Sequence, residues 1–97
     1  MMNKYRSGRI HEGKVVSDLR RKRFSNIRQS AGSRGPADIY AKRKGTKYYI
    51  QVKSGGARIN SDGVAKLRAL AKQRGGVAVS IHRDKGKSKW RFHGNWS

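Results

Sequence analysis

Apolar residues at Ile10, Val15, Val16 and Leu19 recur at helical spacing behind Ser7, a residue suited to cap a helix N-terminus. The basic cluster Arg20 to Arg23 then complements the negative end of a helix dipole. The pattern predicts a first helix over 8–22, preceded by a basic, mobile arm over 1–6. From Phe24 the chain breaks into short segments separated by turn residues. Strands are expected over 24–30, 37–43 and 47–53, divided by a Gly32/Gly35/Pro36 loop and a Lys44-Gly45 turn. Gly55-Gly56 opens a loop, and Asn60 or Ser61 can cap a second helix whose apolar stripe is Val64, Leu67, Leu70 and Ala71. Gly75-Gly76 ends that helix. The continuous run Val77 to Ile81 reads as a central strand buried on both faces, and 89–93 as a last strand with Trp90 and Phe92 on one side. The order is α-β-β-β-α-β-β, an α/β fold with a mixed central sheet of about five strands flanked by helices. Strand, helix and strand over 47–82 form a right-handed crossover candidate. No repeat or linker divides the chain, so 1–97 reads as one domain.

Charge narrows the partner. The chain has 25 Lys and Arg against five Asp and Glu, a formal net charge of +20 in 97 residues. Such a surface attracts phosphate backbones through counterion release, so nucleic acid is the expected ligand. The absence of cysteine excludes a disulfide framework and thiolate metal sites. No apolar run reaches membrane-spanning length or resembles a signal peptide, so the expectation is a soluble, intracellular, cytoplasmic protein, of cellular or viral origin. The small core makes oligomerisation plausible.

With so few acids, each carboxylate requires a reason. Glu12 lies three, four and seven residues before Val15, Val16 and Leu19, on the same helical face as the core stripe. It can pair with a nearby cation at the stripe edge, or point toward a site on the sheet. If Lys44 and Gly45 form a two-residue hairpin loop, Ile39 faces Ile50, Tyr40 faces Tyr49, and Asp38 faces Gln51. A bulged three-residue loop would shift this register by one. Lys53 falls on the face of Gln51, while Ile39, Ala41, Tyr48, Ile50 and Val52 take the other. A carboxylate, an amide and a lysine so gathered suit metal-dependent phosphodiester hydrolysis. Oxygens of Glu12, Asp38, Gln51 and the Val52 carbonyl offer hard ligands to magnesium, and Lys53 can stabilise developing negative charge or orient the attacking water. The alternative is an ordinary surface Asp and Lys on a hairpin.

These segments resemble the PD-(D/E)xK nuclease superfamily: Pro36-Ala37-Asp38, then Gln51-Val52-Lys53, with the helical Glu12 upstream. Within it the chain is most similar to archaeal-type Holliday junction resolvases. The similarity runs through the opening Gly8-Arg9-Ile10-His11-Glu12-Gly13, the segment Arg28 to Ser33, Val52-Lys53-Ser54, the second helix and Trp90-Arg91-Phe92. The resemblance implies a restriction-endonuclease-like fold and a homodimer that makes paired, symmetric cuts in four-way DNA junctions with magnesium, manganese substituting. It implies that Glu12, Asp38 and Gln51 belong to the metal site, that Lys53 is catalytic, and that Ser30 or Ser33 is a loop serine near the scissile phosphate. Gln51 departs from the glutamate usual in these resolvases, although related restriction-type nucleases use Gln-x-Lys; the chain is also short for the family.

Arg20, Arg21, Arg23, Arg34, Lys42, Arg43, Lys44 and Arg58 are the expected DNA-backbone contacts, with Lys85 to Lys89 as further candidates. His11, His82 and His93 show no metal-binding spacing and read as surface or phosphate-contacting groups. Tyr40 and Tyr49 suit cross-strand packing or the cleft. Trp90, Phe92 and Trp96 are expected in the core or a dimer interface. Two rivals remain: another branched-DNA or restriction-type nuclease, and a non-catalytic, ribosomal-type nucleic-acid-binding protein.

Overall fold

The computed structural model describes residues 4–30, 36–56 and 59–97, and of residues 4–12 the backbone only. Helix α1 spans Lys4–Arg21 and helix α2 Ser61–Arg74; the strands are β1 Ser25–Gln29, β2 Ile39–Arg43, β3 Thr46–Ser54, β4 Val77–Asp84 and β5 Lys87–Asn95. The expected element order holds throughout. All five strands form one sheet in the order β1-β2-β3-β4-β5, so β3 is central and β4 lies between β3 and β5. β3 and β4 are parallel across the α2 crossover, and the other neighbours are antiparallel.

Helix α1 begins earlier than its sequence suggests. Ser7 lies inside the helix rather than at its cap, and only residues 1–3 of the expected arm fall outside the described chain. Lys, Tyr and Arg at 4–6 extend a helix readily, and that propensity overrides the local capping preference of serine. At the other end Arg23 adopts φ +67, the Arg23 amide donates to the Arg20 carbonyl at 3.1 Å, and the Phe24 amide to Leu19 at 3.0 Å. This is a Schellman ending, with Leu19 and Phe24 making its hydrophobic contact in the core. α2 stops the same way with glycine at the left-handed position: Gly75 has φ +69, and the Gly76 amide donates to Ala71 at 2.8 Å. A Cβ on Gly76 would come within 2.5 Å of the Tyr49 ring and 2.7 Å of the Lys47 carbonyl, so the close approach of this turn to β3 requires glycine. At its start Asn60 accepts from the Gly63 amide at 2.7 Å.

Two Lys-Gly turns shape the sheet. Lys44 (φ +51) and Gly45 (φ +78) join β2 to β3, and Lys85 (φ +50) and Gly86 (φ +77) join β4 to β5. Paired positive φ values define the tight hairpin turn whose twist matches that of the strands. The first turn sets Ile39 opposite Ile50 and Tyr40 opposite Tyr49, as the sequence reading requires.

The two faces carry separate cores. Val15 and Leu19 of α1 bury against Phe24, Ile39, Ala41, Ile50, Val52, Val79 and Ile81, with Trp90 packed at the margin. α2 covers the opposite face, where Leu67 and Ala71 meet Ala37, Tyr49 and Ala78, with Tyr40 and Trp96 alongside. The Tyr40 and Tyr49 rings meet edge to face at 5.7 Å. Phe92, expected in a core or interface, is 62% exposed. The α1 layer is also pinned by Arg83, which is only 8% exposed and donates to Asp18 Oδ2 and to Ser88 Oγ, each at 3.3 Å.

Candidate active site

Alternation along β3 places Gln51 and Lys53 on the α2 face, and β2 enters the sheet just after Asp38 at the same end. Asp38 is fixed three times by main-chain groups. Its amide donates to the Ile50 carbonyl at 2.8 Å, its carbonyl accepts from the Ser30 amide at 2.7 Å, and its carboxylate Oδ2 accepts from the Val52 amide at 2.9 Å. N–H and C=O of one strand residue point to the same side, so the Val52 carbonyl is also directed toward β2. Burial pushes the Asp38 pKa above the ordinary carboxylate value, opposed by the Val52 hydrogen bond and the positive charge of Lys53. In a chain of this charge Asp38 nonetheless makes no ion pair within 4.0 Å among the described residues. Asp18 pairs with Arg21 and Arg83, and Asp62 with Lys66.

The structure therefore brings together Asp38, Gln51, Val52 and Lys53, and ties Ser30 to Asp38 through the backbone. The Glu12 side chain, Ser33, Arg34 and Arg58 lie outside what is described. Among the described residues no three His, Cys, Asp or Glu side chains converge on a metal site. Asp38 with neutral oxygens from Gln51 and Val52 still fits magnesium. That ion keeps much of its water and takes one or two carboxylates together with substrate phosphate.

Of the expected DNA contacts, Arg23, Lys42, Arg43 and Lys44 fall at the other end of the sheet, while Lys85 to Lys89 turn at the Lys53 end, where Lys89 pairs with His82. Ser25 pairs with Lys42, about 13 Å along the strand from Asp38, and Arg43, Lys44 and Arg23 lie around the β2–β3 turn beyond it. Some of these cations also pack on aromatics: the Arg43 guanidinium lies 5.4 Å from the Phe24 ring centre, and Lys22 lies 5.6 Å from that of Trp90. Arg20, Arg21, Arg23 and Lys44 are exposed.

Nearer the cluster are His82 and His93, which the sequence reading left on the surface, and Ser80 of the strand it expected to be buried. Parallel pairing puts Ser80 beside Gln51 and His82 beside Lys53. His82 Nε2 lies 2.7 Å from the Gly55 carbonyl, which can only accept, so this nitrogen carries the hydrogen and holds the turn after Lys53. Ser80 Oγ lies 2.7 Å from His93 Nε2. The signal that could have placed Ser80 and His82 there is the β3/β4 register, which no turn specifies.

A family model of archaeal Holliday junction resolvases matches residues 3–96. Among solved structures the fold is similar to that of Archaeoglobus fulgidus Hjc, a Holliday junction resolvase from an archaeal hyperthermophile. The TM-score is 0.72 at 26% identity, over 89% of this chain and 70% of that one. No curated protein sequence matches. Among the described residues no helix is long and apolar enough to cross a membrane.

Proposed function

The chain belongs to the archaeal Holliday junction resolvase family, and from that premise we propose that it is a metal-dependent endonuclease that resolves four-way DNA junctions by paired, symmetric phosphodiester hydrolysis. The observation that carries this reading is the convergence of Asp38, Gln51 and Lys53 on one face at one end of the sheet, with Asp38 locked to the Val52 amide. Asp38, the Gln51 amide oxygen and the Val52 carbonyl would hold a magnesium or manganese ion, with Glu12 as a further ligand from α1. When bound, the ion polarises the scissile phosphate and lowers the pKa of a bound water. Lys53 supplies a fixed positive charge where negative charge grows on the phosphoryl oxygens. The Asp38–Val52 hydrogen bond keeps the carboxylate from rotating away. In the overall step a water oxygen bonds to phosphorus, one P–O ester bond breaks, and the departing oxygen takes up a proton. Ser30, next to Asp38, is a candidate phosphate contact, with Ser33 from the same loop.

The two cores of a 97-residue chain are small, and a junction presents two equivalent strands, so a homodimer with two-fold symmetry suits the paired cuts. Arg20, Arg21, Arg23, Lys42, Arg43 and Lys44, at the far end of the sheet, would grip flanking duplex, with Arg34 and Arg58 as further candidates.

The test is cleavage of an end-labelled four-way junction with magnesium, beside linear duplex and flap substrates and a Lys53→Ala control. Paired cuts confined to the junction are expected. Equal cutting of duplex would indicate a restriction-type nuclease, and binding without cutting in either metal a non-catalytic protein.

A further inference from the structure

We propose that the groove between α2 and β5, lined by Arg68, Arg91 and His93, is a second phosphodiester subsite that carries nucleic-acid backbone away from the Asp38–Lys53 cluster. The cluster's chemistry rests on the function proposed above; the groove's preference for a phosphodiester rests on its own residues. Arg68 lies on the exposed side of α2 and Arg91 on β5, and the groove between them also includes Ser61 of the first α2 turn and His93.

Position is the first support. Gln51 pairs with Ser80 in the parallel register, and Ser80 pairs with Arg91 in the antiparallel one. Gln51, Ser80 and Arg91 thus form one row across three adjacent strands. Two strand spacings separate its ends by about 10 Å. Ser80 also touches His93 across the same face. The bulge between Ala78 and Val79 falls just beyond Ser80 and leaves this row intact, and strand alternation from Arg91 puts His93 on the same face. The Asp38–Lys53 cluster and the groove therefore lie on one face about two strand spacings apart, with the buried Ser80 between them.

Uncompensated charge is the second. Among the described residues neither Arg68 nor Arg91 has a carboxylate within 4.0 Å. Their field is felt at His93, whose pKa is held below the ordinary imidazole value by burial first and then by Arg91 and Arg68. A neutral His93 can share a hydrogen bond with the Ser80 hydroxyl, leaving the two guanidinium groups as the groove's charges. Arg68 is steadied by the Trp96 ring, 5.7 Å away, which limits the side-chain freedom lost on binding. Planar guanidinium forks match phosphate oxygens in pairs.

Occupancy by a second copy of this chain is disfavoured by the same charges. A two-fold contact through the groove would bring Arg68 and Arg91 of one copy against those of the other in a protein of net charge +20. A polyanion brings the complementary sign.

The test compares full-length wild type with Arg68→Gln/Arg91→Gln, which keeps much of each aliphatic stem. A matched control, Lys14→Ala/Lys72→Ala, removes two exposed charges from elsewhere. Affinity for a four-way junction and for a single-stranded oligonucleotide is measured from low to physiological salt, and folding is checked by thermal melting. Each lost phosphate contact lowers the log-log salt slope by about one, so the groove variant should lose about two and the control distinctly less. An unchanged slope in the folded groove variant, or an equal drop in the control, overturns the proposal, as does conversion of a wild-type dimer to monomer with the slope intact. Failure of the resolvase reading appears separately, as wild-type protein that binds nucleic acid through the groove and cuts no junction.

Discussion

The Val52 amide donates to Oδ2 of Asp38 at 2.9 Å, so the strand that carries Gln51 and Lys53 also orients the carboxylate at the entrance to its neighbour. Three of the four residues expected to do chemistry are thereby positioned by one hairpin. Their relative geometry depends on β2–β3 pairing, and substitutions within the hairpin should affect them as a unit.

Burial raises the Asp38 pKa, and this has a defined consequence for stability. The folded protein holds the Asp38 proton more tightly than the unfolded chain. The stabilising effect of that protonation is complete below the unfolded pKa and is lost as pH rises through the higher folded value. At neutral pH the ionised carboxylate therefore costs stability. Asp38→Asn retains an oxygen to accept from Val52 and should melt at a higher temperature than wild type at neutral pH, with the difference shrinking in acid. It should cut no junction. Magnesium should raise the wild-type melting temperature, by about 2.7 kcal/mol of stability at a hundredfold excess over Kd, and leave that of Asp38→Asn unmoved. Equal magnesium shifts in the two proteins would remove Asp38 from the metal site.

Lys53 stands beside His82 on the α2 face, away from the arginines and lysines gathered at the β2–β3 turn. On the proposed reading, catalysis and most of the backbone affinity rest on different residues. Lys53→Ala should reduce single-turnover cleavage by at least about a hundredfold, while gel-shift affinity for the junction stays within a few-fold of wild type. A parallel collapse of binding would mean that Lys53 is chiefly a DNA contact.

The hairpin was legible because Lys44 and Gly45 leave a tight turn between two alternating strands, and a tight turn fixes every pairing beyond it. The same Lys-Gly device at 85–86 joins β4 to β5, yet the flanking residues lack clean alternation, so both strands run longer than their patterns suggest. The parallel β3/β4 register has no such marker. α2 intervenes between the strands, and nothing local sets Ser80 beside Gln51 or His82 beside Lys53. The bulge in the β4/β5 ladder between Ala78 and Val79 is likewise a product of pairing. The end of α1 was legible within one residue from its basic cluster, but its left-handed form was not, because that position holds Arg23 where glycine is usual.

That position yields a stability prediction. A left-handed arginine carries a Cβ penalty that glycine avoids, so Arg23→Gly should stabilise the fold by about 1 kcal/mol. In a domain of this size this is roughly 4–8 °C in melting temperature. If Arg23 also contacts DNA, the salt slope of junction binding falls by about one in the same variant. A lower melting temperature would show that Arg23 makes a compensating contact.

Gln51 tests the metal site most sharply. Half-buried beside Asp38, it can offer a cation only its neutral amide oxygen, whereas glutamate would add a full negative charge at nearly the same volume. Gln51→Glu should remain active and reach half-maximal cleavage at lower magnesium concentration. Gln51→Leu removes the oxygen while leaving the hairpin register and the Asp38–Val52 hydrogen bond in place, and it should lose cleavage while melting near wild type. Should Gln51→Leu titrate with magnesium as wild type does, Gln51 holds no metal, and Asp38 must find its other ligands from α1 or from the substrate.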